Sequence, residues 1–288
     1  MKLDLRRKRD LGAILDDSFA VYRANFGTLV LLSLLVVVPV YLLVFGVGLG
    51  DLWSGYEVRT GGEVRLADVT DQLAGLAAQL LVVTPLVTAM TVHVVRAAAE
   101  GRRAPAGEAL RAGFDVFPAL LLAIVLVGLG VMGGLLLLIV PGIILAVRWV
   151  VVAQAVVVEG RTGTDALNRS FELTRGHGWF AFLVLFVLNL LVGVLSAVVL
   201  LPLDAAAESA DSMAFTMLGQ MISSGLSLPL VAAGYTLLYY SLVTEKEGGA
   251  EPVGPVAPEP VAPEPVPQSM PGVPGTYGDG WAPPKPPG

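Results

Sequence analysis

The chain has 288 residues, of which 55% are hydrophobic and only 15% are charged, and its mean hydropathy is +0.75. A water-soluble domain of this length needs far more charge to cover its surface, so the composition excludes an ordinary soluble protein. The absence of cysteine excludes disulfides, thiolate nucleophiles and cysteine metal sites. The net charge of −6 indicates little about partners, because acids and bases are segregated along the chain, and we expect no nucleic-acid partner.

Long uncharged apolar runs recur along the chain, and each reaches or exceeds the ~20 residues that cross a ~30 Å hydrocarbon core. The first run is too long for the apolar part of a signal peptide, so we expect it to be retained. The run over 116–147 would form a helix of about 48 Å, too long for one crossing, and Pro141-Gly142 is expected to break it. The predicted spans are 28–50, 71–96, 116–139, 142–158, 179–203 and 213–244.

Charge in the loops predicts the orientation of these spans. Arginines precede the first span, follow the second and separate the fourth from the fifth, whereas acids dominate 51–72 and 204–212. By the positive-inside rule the basic loops and both termini are cytoplasmic, which agrees with an even number of spans.

Three segments of the chain align as a repeat. They begin at Leu11, Pro105 and Gly163, and each carries an apolar stripe at helical spacing with polar residues on the other face. We predict interfacial helices at about 10–25, 105–115 and 164–175, each followed by a transmembrane hairpin. The expected architecture is an all-α membrane protein made of three parallel repeats.

Several phrases resemble the glycerophosphoryl diester phosphodiesterase membrane-domain family, which comprises uncharacterised bacterial six-span integral membrane proteins. They are LGAILDDSFAVYRANF, VPGIILAVRW, VVVEGRTGTDALNRSFELTRGHGW and YTLLYY. The chain departs from the family's pattern near Ser241 and Val243, where relatives often carry an acid and arginines. The resemblance implies a multi-pass protein of the bacterial plasma membrane without an esterase domain, since the separate phosphodiesterase barrel needs ~250 residues.

The titratable residues form no recognisable catalytic or metal motif. The two histidines, His93 and His177, belong to no HxxxH or HExxH pattern, and no carboxylate lies within an apolar core. We therefore expect no enzyme activity, no catalytic residue, no metal and no cofactor. Both histidines are expected to be structural residues at the membrane interface.

Arg148 is the one charged residue inside an apolar run. It lies about 9 Å along the helix from Gly142, so its side chain could reach the external headgroups. Two further interpretations remain open. Arg148 could be tied to a neutral partner, or it could contact an anionic lipid or another anion. The neutral partners considered are Gln79, Asn189 and Ser223.

Four residues form a candidate structural cap on the cytoplasmic side, namely Glu159, Arg169, Ser170 and Trp179. The proline-rich segment 249–288 is expected to be a disordered cytoplasmic tail, available to a proline-reading partner. We expect a non-catalytic module that organises lipids or partner proteins in the membrane. The alternative is a transporter of a small solute or lipid through a cavity between the three hairpins.

Overall fold

The computed structural model describes residues 3–44, 73–210 and 213–248, and every regular element in these ranges is a helix. Six helical stretches in the described ranges are long and apolar enough to cross a membrane: α2, α3, α4, α5 with α6, α8 and α9. In chain order the helices are α1 (Leu11–Ala24), α2 (Phe26–Val44), α3 (Leu73–Ala99, with a π-helical turn over Gln79–Val83), α4 (Ala106–Leu137), α5 (Ile139–Arg148), α6 (Val152–Glu159), α7 (Gly163–Thr174), α8 (Gly178–Ala210) and α9 (Met213–Glu247). The all-helical fold with six membrane-spanning candidates is confirmed.

Parts of three predicted features lie outside the described residues. They are the end of the first span with the loop up to residue 72, the loop residues 211 and 212, and the tail from residue 249. The disorder of the tail and the threefold repeat stay predictions.

The second predicted interfacial helix, at 105–115, is wrong as a separate element. Helix α4 runs without interruption from Ala106 through Pro118 to Leu137. Pro118 removes one backbone donor but does not end the helix, which continues for nineteen further residues. Of the three predicted interfacial helices, only α1 and α7 are distinct helices.

The turn between the third and fourth spans is at Leu138 rather than at Pro141. Leu138 is extended, with φ −162° and ψ 147°, and its N–H still bonds to the carbonyl of Gly134. Pro141 lies in the first turn of α5, where a missing N–H costs no helical hydrogen bond. A Cβ on Gly134 would be 2.9 Å from the Gly142 Cα, so α4 and α5 approach closely there.

The fourth span was predicted as one helix over 142–158, but it is broken at Trp149–Val151. The Val152 N–H donates to the carbonyl of Trp149 at 3.2 Å, leaving the Arg148 carbonyl without its usual helical donor. The hydroxyls of Ser170 and Thr174 donate to that carbonyl instead, at 2.9 and 3.2 Å. Because α7 supplies these donors, the break does not leave an unsatisfied backbone group.

Helix α9 is the most buried of the long helices in the described residues, and it packs against α1, α2, α3, α6, α7 and α8. In its most apolar stretch 78% of the residues are buried, compared with 11% for α8. Glycines allow close approach, since a Cβ on Gly225 would meet Leu34 at 2.7 Å and one on Gly234 would meet Leu188 at 2.6 Å. This packing places the C-terminal end of α9 beside α1, α6 and α7.

Candidate functional site

The C-terminal end of α9 carries a concentrated set of polar contacts. Six side chains in its last nine residues bond to other elements of the protein, and we call this set the α9 polar end. They are Tyr239 to Glu159, Ser241 to Arg9, Thr244 to Leu5, Glu245 to Lys8 and His177, Lys246 to Arg175, and Glu247 to Arg169. One helix end is therefore tied to the N-terminal segment, to α6, to α7 and to the residues between α7 and α8.

A buried ion pair forms the centre of this set. The Glu159 carboxylate, whose side chain is 4% exposed, accepts from Arg169 Nε at 2.7 Å and from Arg161 Nε at 2.5 Å. The Tyr239 hydroxyl also donates to it, and Glu247 pairs with the other side of Arg169 at 2.5 Å. Burial by itself would lower the pKa of Arg169, but its bonds to the two carboxylates outweigh burial and raise that pKa.

The N-terminal segment is held by a second buried arginine. Arg9 donates from Nε to Asp17 at 2.8 Å and from its other guanidinium nitrogens to the carbonyls of Arg7 and Asp4. Ser241 accepts from the Arg9 N–H at 2.9 Å and donates to the Arg9 carbonyl at 3.3 Å. Ser241 is one of the positions at which this chain differs from the pattern of the family that it resembles, and here it holds the N-terminal segment against α9.

Arg148 is directed at α7. Its Nη1 donates to the carbonyl of Thr174 at 2.9 Å, and its guanidinium lies 5.1 Å from the centre of the Phe171 ring. Ten residues of α5 correspond to about 15 Å, which separates Arg148 from the turn at Leu138. The expected outward reach toward that turn is wrong, because the side chain is held by the end of α7.

The three neutral partners considered for Arg148 are bonded elsewhere. Gln79 accepts from Tyr41 at 3.3 Å, Asn189 donates to Tyr235 at 2.9 Å, and Ser223 donates to Ser196 at 2.9 Å. The predicted partners of Arg148 are therefore wrong. Arg148 does make an internal hydrogen bond, but to a backbone carbonyl of α7.

An apolar groove of about 440 Å³ lies between α5 and α8 beside Arg148. One wall consists of aliphatic side chains of α5, and the other begins with Trp179 and Phe182. The two aromatic rings stack at 5.4 Å between centroids, and Phe182 stacks on Phe186 at 6.1 Å. Trp179 is 77% exposed, so the groove opens to the outer surface of the helices.

Both histidines lie within hydrogen-bond distance of carboxylates. His93 Nε2 lies 2.8 Å from Glu108, which also pairs with Arg102, and His177 Nε2 lies 3.1 Å from Glu245. The described residues contain no group of three or more histidine, aspartate and glutamate side chains that could hold a metal ion.

The four residues of the predicted cap separate into two places. Glu159 and Arg169 contact each other, whereas Ser170 bonds to Arg148 and Trp179 lines the groove. Sequence reasoning missed Tyr239 and Arg9. The phrase YTLLYY contains Tyr239 and was the available signal, but its partner lies 80 residues away.

No family model, curated protein or solved structure matches this chain. The resemblance to the glycerophosphoryl diester phosphodiesterase membrane-domain family therefore stays a prediction.

Proposed function

We propose that this protein is a non-catalytic membrane module that organises lipids or partner proteins around a dry central helix. The packing of α9 carries the proposal. Leu230, Ala233 and Leu237 follow one another on its buried side, each 3% exposed or less. Hydroxyls on the same helix donate to its own carbonyls, as in Ser227 to Ser223 and Thr236 to Ala232 at 2.6 Å. A transport path needs polar groups facing water, whereas the hydroxyls of Ser227 and Thr236 bond to the backbone of their own helix and lie among buried apolar side chains.

The use of the buried charges also supports a structural module. Glu159, Arg169 and Arg9 all have partners, and those partners join separate helices of the protein. A catalytic acid or base needs access to a substrate. In the α9 polar end the titratable groups instead connect the N-terminal segment, α6, α7 and α9 into one assembly.

The orientation is part of the same proposal. Basic segments before α1, after α3 and around α7 support placing these ends on the cytoplasmic side of a bacterial plasma membrane, with both termini inside. The amphipathic helices α1 and α7 begin their units on that side, consistent with three parallel repeats.

The test is to purify the protein in native-lipid particles and to quantify its lipids and proteins against bulk membrane and against particles of an unrelated six-span protein. We expect selective enrichment of a lipid class or a partner protein. Particles with the composition of bulk membrane would contradict the proposal, and so would solute flux through reconstituted protein.

A further inference from the structure

We propose that the groove between α5 and α8 binds an anionic phospholipid, with Arg148 holding its phosphate and the apolar walls holding an acyl chain. This inference rests on the proposed function and names a ligand and its site. Its starting point is a difference among the arginines. Arg9 and Arg169, with side chains 1% and 12% exposed, each pair with a carboxylate. Arg148 has no carboxylate partner among the described residues.

The contacts of Arg148 leave donors for a ligand. A guanidinium has five N–H donors, and the structure uses one nitrogen, Nη1, for the Thr174 carbonyl. The Phe171 ring lies against the guanidinium at 5.1 Å and orients it without neutralising its charge. An unneutralised arginine inside a membrane span is costly, and a phosphate offers two oxygens to the remaining N–H donors of the guanidinium.

The walls beside the guanidinium fit a hydrocarbon chain. Ile144 lies one helical turn before Arg148, and Phe182 lies one turn after Gly178, whose added Cβ would be 3.9 Å from the Arg148 Cζ. The groove therefore runs from the Arg148 guanidinium along α5 and α8 in the same direction. Free phosphate would leave these 440 Å³ of apolar space unused, whereas a phospholipid occupies both parts.

Trp179 flanks the charged end of the groove, as expected of a residue that lies at headgroup depth. Tryptophan is enriched at the boundary between hydrocarbon and water, and Trp179 is exposed where α8 begins. The aromatic row that it starts continues through Phe182 and Phe186, deeper along α8. A phosphate at Arg148 and an acyl chain along this row match the depth order of a phospholipid.

The test compares lipid retention in variants of the full chain. Wild type, Arg148→Gln, Ile144→Trp and Arg111→Gln are reconstituted in vesicles of equal parts phosphatidylcholine and phosphatidylglycerol, extracted, and analysed for bound lipid. Arg148→Gln removes the charge, and Ile144→Trp fills the groove while leaving Arg148 and its bond to Thr174 intact. Arg111→Gln is the matched control, since Arg111 is an exposed arginine on α4 outside the groove.

We expect phosphatidylglycerol retention to fall about tenfold in both groove variants, the factor that 1.4 kcal/mol represents, and to stay at the wild-type level in the control. Wild-type retention in either groove variant would overturn the proposal, as would an equal fall in the control. If Arg148→Gln does not fold, Ile144→Trp decides.

A second arm separates lipid from free anion. Delipidated wild-type protein should recover its melting temperature with the phosphatidylglycerol vesicles and not with inorganic phosphate, and equal recovery with phosphate would overturn the lipid assignment. Unchanged retention in the groove variants, with native particles still enriched in a lipid or protein, would remove this site and leave the proposed function standing. Wild-type particles without any enrichment would instead remove the proposed function.

Discussion

Replacing Glu159 by glutamine measures how much the buried ion pair stabilises the fold. Glutamine keeps the shape of the side chain but leaves Arg169 and Arg161 facing an amide that cannot neutralise them. Removing one partner of a buried pair costs ~3–5 kcal/mol. Because Glu247 still pairs with Arg169 at 2.5 Å, we expect the lower end of that range, about 3 kcal/mol of unfolding free energy.

Tyr239→Phe isolates one contact of the same carboxylate. The ring stays in place, and only the hydroxyl that donates to Glu159 is lost. A hydrogen bond to a charged group contributes about 1.5–3 kcal/mol, and Glu159 keeps its arginine donors, so we expect a loss near 1.5 kcal/mol. The double variant should lose less than the sum of the two single losses, because each change weakens the same contact between Tyr239 and residue 159.

The assay is unfolding by sodium dodecyl sulfate in mixed micelles, followed by tryptophan fluorescence. The matched control is Glu100→Gln, which breaks an ion pair with Arg102 in which both side chains are about half exposed. Exposed pairs contribute little, so this variant should unfold with wild type. If Glu159→Gln were no less stable than Glu100→Gln, the reasoning about the α9 polar end would be refuted.

Three further predictions concern packing, the N-terminal segment and orientation. Gly134→Ala should destabilise the protein by about 1–3 kcal/mol, because its Cβ meets the backbone of α5, whereas Gly133→Ala has open space and should be at least as stable as wild type in the same unfolding assay. Ser241→Ala removes two hydrogen bonds to the segment before α1, so trypsin should cut that segment faster than in wild type, and an equal effect of Ser209→Ala would contradict this. A single cysteine at Ser209 should react with an impermeant reagent added outside the cell and one at Gly163 should not; the reverse pattern would end the topology argument.

The spans could be predicted from sequence because membrane crossing depends on the length and composition of apolar runs. Four of the six spans needed no other information, whereas the third and fourth came from one run that had to be divided at Pro141-Gly142. The break at Trp149–Val151 could not be predicted in this way, since the stretch contains neither glycine nor proline. The break depends on contacts with other helices. Hydroxyls of Ser170 and Thr174 satisfy the Arg148 carbonyl, and Gly130 leaves space for the Trp149 ring.

The candidate sites were predictable only where partners are close in sequence. Glu159 and Arg169 lie ten residues apart on consecutive helices, so one phrase contained both. Tyr239 is 80 residues from Glu159, and Ser241 is 232 residues from Arg9. The direction of Arg148 was missed for a related reason, since its depth was counted from the turn and the return of α7 toward it was not visible in the sequence.

The most direct test of the central claim is the accessibility of the buried side of α9 to water. The natural chain has no cysteine, so single cysteines at Leu230, Ala233 and Leu237 can be probed with a water-soluble maleimide in native-lipid particles, with Ser209 as the exposed control. If the buried side of α9 is closed to water, the three buried positions should stay unlabelled until the protein is denatured, whereas the control should react at once. Labelling of all three in the native protein would show a water-filled path along α9 and would contradict the account in favour of a transporter.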